Sequence, residues 1–172
     1  MYTPQLAVLG AGLMGVGIAC HFARHGHAVC LYDTDPGRIG DIPGVATAIL
    51  RELEECGQFD PAQRAAVLAR LSGATALGEL ANATLLIEAI PERLPLKHAL
   101  YAELEALIAD DAIIASNTSG LPPDQLAQGM RHPERLLIAH FWHPPHFIPL
   151  VEVVPGSATL PHLAGEVSDF FT

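Results

Sequence analysis

Short unbroken apolar runs alternate with longer stretches of helical spacing along the whole chain. Residues 5–10, 28–32, 83–89, 111–115, 135–141 and 150–154 each carry such a run, and a further short strand falls near 74–75. Apolar runs of this length read as strands buried on both faces. Between the first two, 13–25 has an apolar stripe at helical spacing through Ile18 and Phe22, with Gly26 as its C-terminal cap. His25 then sits at the negative end of that helix. Helices over 36–57 and 61–71 form a hairpin joined at Gly57-Gln58-Phe59-Asp60, where Asp60 and Pro61 supply cap and first helical position. Pro91 and Pro95 bracket the entry to a helix reaching about 109, Pro122-Pro123 starts a short helix, and the tail over 160–171 reads as the beginning of another. Strands and helices in alternation predict an α/β fold: a doubly wound, mostly parallel sheet with helices on both faces.

The turn after the first strand reads Gly10-Ala11-Gly12-Leu13-Met14-Gly15. A buried strand feeding Gly-x-Gly-x-x-Gly into a helix is the arrangement that cradles a dinucleotide pyrophosphate. Gly10 makes the tight turn, Gly12 lets the backbone approach the phosphates, and Gly15 lets the helix pack on the strand. The helix then aims its amides and positive dipole end at the anion. The sheet is therefore expected to be of Rossmann type. Asp33, at the end of the second strand and about 20 residues past the glycines, is where such a fold holds the ribose 2′-hydroxyl. A carboxylate there repels a 2′-phosphate, and the adjoining Thr34 and Asp35 supply no cation, so the expected cofactor is NAD. Asp33, Glu88, Ser116 to Ser119 and His140 all fall at carboxyl ends of strands, the edge where open sheets of this type bind ligands.

Composition narrows the partners. The 172 residues carry nine Lys+Arg against nineteen Asp+Glu, a net charge of −10, which argues against nucleic acid or an anionic membrane. No run of eighteen apolar residues spans a membrane, and the N-terminus lacks a signal-peptide pattern. Cys20, Cys30 and Cys56 form no metal-like pair, which fits reduced thiols and a cytoplasmic location. Because the last helix has no later strand to receive it, the chain reads as a first domain whose second domain lies elsewhere.

Taken with Glu88-Ala89-Ile90-Pro91-Glu92, Ser116-Asn117-Thr118-Ser119, His140-Phe141-Trp142-His143-Pro144 and Leu150-Val151-Glu152-Val153-Val154, the glycine loop resembles the L-3-hydroxyacyl-CoA dehydrogenase family over essentially the whole chain. The resemblance implies the NAD-binding domain, 1–172, of an enzyme whose helical C-terminal domain is absent here, covers the substrate and forms a homodimer. It implies that Gly10, Gly12, Leu13, Met14, Gly15 and Asp33 hold the adenosine half of NAD and that Glu92 and Lys97, the only lysine in the chain, contact the cofactor. Ser119 matches the residue that binds the reacting oxygen beside the nicotinamide, His140 the catalytic base, and Glu152 its carboxylate partner. The small-molecule substrate would be a 3-hydroxyacyl-CoA oxidised to the 3-keto ester. The chemistry is sensible on its own terms: oxidising a secondary alcohol releases a proton, an imidazole suits a base near neutrality, and a carboxylate fixes its tautomer.

Three departures bear on substrate. Position 143 is histidine where the family usually has a cofactor- or substrate-contacting asparagine. The hairpin has no lysine to meet CoA phosphates, leaving Arg51, Arg64 or Arg70 to substitute. Phe147-Ile148-Pro149-Leu150 is closer to relatives acting on small free hydroxy acids, such as gulonate or carnitine dehydrogenases. Two other readings compete. His140, His143 and His146, with His132 nearby, have ligand-like spacing, but Pro144, Pro145 and Pro149 exclude the helix that would align them, so no metal is expected. A non-catalytic NAD-binding domain would need neither His140 nor Glu152.

Overall fold

A computed structural model describes residues 4–172, and among these seven strands form one sheet in the order β3-β2-β1-β4-β5-β6-β7. The strands are β1 (Leu6–Leu9), β2 (Val29–Tyr32), β3 (Leu71–Ala74), β4 (Leu85–Glu88), β5 (Ile113–Ser116), β6 (Leu136–Phe141) and β7 (Val151–Pro155). The first six are parallel. The expectation of a mostly parallel sheet needs one specification: β7 runs antiparallel to β6. A nine-residue connection between them is too short for the helical crossover that a parallel pair requires, so the chain turns straight back.

Alternate strand residues feed two cores. Leu6, Val8, Leu31, Ile87 and Ala115 face α1 (Leu13–Arg24), α2 (Pro36–Glu55) and α3 (Arg64–Leu68). Ala7, Leu9, Leu86 and Ile114 face Tyr101 and Leu104 of α4 (Leu94–Leu104) and Leu126 of α5 (Pro123–Leu126). Each such aliphatic side chain removed from water contributes about 1.5–3 kcal/mol before ordering costs. α6 (Leu163–Phe171) lays Leu163 and Val167 into the first core and stacks Phe170 on Phe22 of α1, 5.7 Å between ring centres. Among the described residues no helix is long and apolar enough to cross a membrane.

The local signals act as read. α1 ends at Arg24, and Gly26 takes φ +96°, letting the His27 amide reach back to the Phe22 carbonyl at 3.1 Å. Asp60 accepts the Ala62 amide at 2.9 Å and starts a single 3₁₀ turn at Pro61. The second arm of the hairpin is shorter than expected, however, and its final residue, Leu71, opens β3 instead of ending a helix. Ser72 and Gly73 are poor helix formers, and the open edge of β2 offers a ladder, with Leu71 opposite Val29. Gly73 is required there: a Cβ would lie 2.4 Å from Ile39 of α2. α4 likewise stops at Leu104, short of 109, and turns through Ala106–Ile108 toward β5.

His21 of α1 gives the fold a pH dependence. Burial first, then the neighbouring His25 and Arg24 charges, bring its pKa from 6.5 down to about 4. The folded state thus holds His21 neutral where the unfolded chain would protonate it. Its contribution is present above pH 6.5 and is lost as pH falls from there toward 4. His146, also depressed by burial, acts in the same sense. Urea midpoints should fall across that window and fall less in His21→Gln; equal slopes would remove His21 as the cause.

Candidate functional site

The glycine turn is built for a close approach. Gly10 has φ +102°, and a Cβ there would lie 2.8 Å from the Ala89 carbonyl oxygen. At Gly15 a Cβ would fall 1.8 Å from the Gly10 carbonyl oxygen, so only glycine lets α1 seat on the turn. Gly12 caps α1 without a side-chain hydrogen bond, and the space its Cβ would take is empty to 3.9 Å. The first-turn amides therefore face an open cleft of about 660 Å³, lined by Gly10, Gly12, Leu13, Met14 and Asp33 among others. An uncapped helix start over a glycine cradle fits a dinucleotide pyrophosphate.

Asp33 sits just past β2, 11% exposed at its side chain, with both oxygens engaged by backbone. Oδ2 accepts the Ala11 amide at 2.9 Å and Oδ1 the Asp35 amide at 3.0 Å. Thr34 and Asp35 indeed supply no cation, but one reaches this corner from further along the chain. Arg38, one turn into α2, brings Nη1 to 3.6 Å from Asp33 Oδ2. Adjacent sequence positions could not reveal it, because the helix turn carries position 38 back over the cleft.

Met14, Ala89 and Ile90 also line a second cavity of about 310 Å³, which holds Glu92, Ser119, His140 and His143. The two spaces form one groove across the carboxyl ends of the strands. At the far end, antiparallel pairing puts His140 directly opposite Glu152, and Nδ1 lies 2.8 Å from Glu152 Oε2. The same carboxylate oxygen accepts the indole N–H of Trp142 at 3.2 Å. The His140 bond, opposed by slight desolvation and aided by Trp142, holds the Glu152 pKa below its ordinary value. Asn117 secures this end of β6: its side-chain oxygen accepts the Phe141 backbone amide at 2.8 Å, while its backbone N–H donates to the Glu88 backbone carbonyl at 2.7 Å. The 143–150 loop is clamped on α1, where Pro145 fills the space a Gly17 side chain would need and Arg24 donates to the His146 carbonyl at 3.3 Å.

Lys97 is placed differently from its partner Glu92. It is fully buried, with Nζ 2.7 and 2.9 Å from the two Glu88 oxygens and 3.2 Å from Glu92 Oε2. Glu88, itself buried, also accepts Tyr101 and Ser116 hydroxyls at 2.7 and 2.6 Å. Lys97 does not line the groove, whereas Glu92 does. Partial desolvation raises the Glu92 pKa, but the Thr118 hydroxyl and the Lys97 charge outweigh it and keep the carboxylate ionised. The sequence places Glu88, Asn117 and Trp142 in the strand-end motifs but not their partners: Phe141 for Asn117, Glu152 for Trp142, and the buried cluster around Glu88. The signal for the last was in the motif itself, since a carboxylate ending an apolar strand needs a buried partner.

Of the hairpin arginines, Arg64 is bound to Glu54 and Arg70 donates to the Ala23 carbonyl at 3.0 Å, while Arg51 is exposed on α2. The histidines disperse: His140 pairs with Glu152, and His146 is buried 3.5 Å from Glu52. Among the described residues no three His, Cys, Asp or Glu side chains are grouped to hold a metal.

Against known proteins, the sequence profile of the family described as 3-hydroxyacyl-CoA dehydrogenase, NAD binding domain, matches residues 5–172. The chain is similar to the fatty acid oxidation complex subunit alpha of Pseudomonas putida, 38% identical over 152 residues that cover 88% of this chain and 21% of the relative. Its structure resembles 3-hydroxybutyryl-CoA dehydrogenase of Escherichia coli K12, with TM-score 0.93, 33% identity, and 99% of this chain covering 36% of that one. It also resembles the NAD+-dependent dismutase 5-formyl-3-hydroxy-2-methylpyridine-4-carboxylic acid 5-dehydrogenase, with TM-score 0.85, 32% identity, and 96% of this chain covering 53% of that one. The chain spans about a fifth of the length of the curated relatives it matches. With the glycine cradle, Asp33 and the strand-end groove on one Rossmann-type sheet, it belongs to the 3-hydroxyacyl-CoA dehydrogenase family, as an NAD-binding domain.

Proposed function

We propose that the protein oxidises the 3-hydroxyl of a 3-hydroxyacyl-CoA to the 3-ketone, with this domain supplying the cofactor site and the acid–base pair. The observation that carries the reading is the His140–Glu152 contact of 2.8 Å at the end of a groove that begins at the glycine cradle. Gly10, Gly12, Leu13, Met14, Gly15 and Asp33 would hold the adenosine half of NAD, with Glu92 and His143 toward the other end. NAD, when bound, supplies the hydride acceptor. Glu152 binds the Nδ1–H of His140 and so leaves Nε2 with the lone pair. Nε2 takes the hydroxyl proton as the carbinol carbon gives up its hydride and the C=O bond forms. The Ser119 hydroxyl donates to the reacting oxygen, and Glu152 stabilises the imidazolium until the proton leaves. Lys97 acts as a positioning residue by holding Glu92. A second domain would close over the substrate and carry the homodimer contact, and the separate thiols of Cys20, Cys30 and Cys56 suit a reducing cytoplasm.

The small free hydroxy acid is the second reading, favoured by two observations: a similar fold serves a pyridine carboxylic acid enzyme, and two of the three hairpin arginines are already engaged. Trp142, the chain's single tryptophan, is 45% exposed with its ring 6.0 Å from His140. NADH should quench it and show saturable energy transfer into the reduced nicotinamide, with much weaker transfer to NADPH. In an enzyme containing this domain, NADH formation from 3-hydroxybutyryl-CoA but not from 3-hydroxybutyrate is the expected result. The reverse preference would establish the free-acid reading, and binding without turnover of either would reduce the protein to a cofactor-binding role.

A further inference from the structure

We propose that Arg38 is a specificity-determining residue for the dinucleotide, held by Asp33 while the ribose carries a free 2′-hydroxyl and able to bind a 2′-phosphate once that carboxylate is removed. The inference rests on the reading that Asp33 faces the adenosine ribose. Arg38 and Asp33 both line the cleft, and they are unequal partners. Asp33 is fixed by two backbone amides and is 11% exposed, whereas the Arg38 side chain is 54% exposed and meets acid only at 3.6 Å (Asp33) and 4.0 Å (Asp35). A pair at that separation with its cation open to solvent is weak, so the guanidinium can be redirected. The nearest side-chain atom to the open Cβ position of Gly12 is Arg38 Nη1, at 3.9 Å, which sets the cation over the glycine cradle itself.

The charges explain the present preference and its reversal. Asp33 and Asp35 against Arg38 leave the corner net negative, which disfavours the added phosphate of NADP. Removing Asp33 leaves one acid against one cation. It also frees the Ala11 and Asp35 amides, both of which now donate to Asp33. Two backbone N–H groups and a forked guanidinium then converge on one point, a set suited to a phosphate dianion.

The test is calorimetric titration of the chain with NADH and NADPH, for wild type, Asp33→Ala, Asp33→Asn, Arg38→Gln and Asp33→Ala/Arg38→Gln, each checked for folding by circular dichroism. The affinity ratio of NADPH to NADH should rise about 10- to 100-fold in Asp33→Ala, the scale of a charged hydrogen bond, and return most of the way in the double variant. A ratio that stays high in the double variant would overturn the role of Arg38 while leaving Asp33 at the ribose. A ratio that never rises in Asp33→Ala or Asp33→Asn would overturn both. Arg38→Gln alone provides a check independent of any Asp33 variant's folding: it should weaken NADPH severalfold more than NADH, and equal effects on the two would sink the proposal.

Discussion

In an enzyme containing this domain, His140→Gln is expected to lower kcat by about 10²–10⁴-fold while leaving NADH affinity nearly unchanged, the range for loss of a positioned acid–base group. Glutamine keeps a polar side chain of similar reach and lacks a titratable nitrogen. The geometry makes the expectation specific. His140 lines the smaller cavity with Ser119 and lies outside the larger one that holds the glycine cradle and Asp33, so its loss leaves the contacts proposed for the adenosine half of the cofactor in place. Its Nδ1 is committed to Glu152 at 2.8 Å, so Nε2 is the nitrogen left to meet a hydroxyl. Single-turnover and steady-state rates, with the NADH Kd measured alongside, decide the matter. Equal turnover in the variant would take His140 out of the mechanism, and a large loss of NADH affinity would make it a binding residue.

Lys97→Met is expected to destabilise the domain by about 3–5 kcal/mol, the usual cost of stranding one member of a buried ion pair. For a chain of this length that is a fall in Tm of about 6–20 °C. Glu88 is fully buried, and its two oxygens lie 2.7 and 2.9 Å from the ammonium. The hydroxyls of Tyr101 and Ser116 and the Ile90 amide also converge on it, but none carries the compensating charge. Burial and the Glu88 charge hold the Tyr101 hydroxyl protonated well beyond its ordinary range. Glu88→Gln/Lys97→Met should recover much of the loss, since no charge is then left unpaired. Urea unfolding of the three variants measures this cycle. A loss below about 1 kcal/mol for Lys97→Met would mean that water or a neighbour compensates Glu88 and that the pair is not the hub described.

Much of this lay in the sequence, in identifiable places. The apolar runs within 5–10 and 83–89 marked doubly buried strands, and alternate residues of β1 and β4 do enter two separate cores. Gly26, Asp60 and the glycine turn were legible because each is a local conformational demand met within a few residues. The shortened hairpin arm was not, because a weak helix competed with the free edge of β2, a partner some forty positions away.

The sequence by itself determined the alternation of strands and helices, the tight glycine turn and the carboxylate at position 33. All are written in spacing along one stretch of chain, where backbone geometry allows few outcomes. Only the tertiary structure decided how distant groups are set against one another, including the strand direction behind the His140–Glu152 match already made from the motifs. An antiparallel last strand turns a separation of twelve residues into a facing pair, His140 and Glu152. Burial takes the chain's one lysine out of the groove and into the Glu88 cluster. A helical turn carries Arg38 back over Gly12 and against Asp33, at a corner where its sequence neighbours offered no cation. Strand direction, burial and the facing of helix turns are set by long-range packing, which the order of residues constrains only through the fold as a whole.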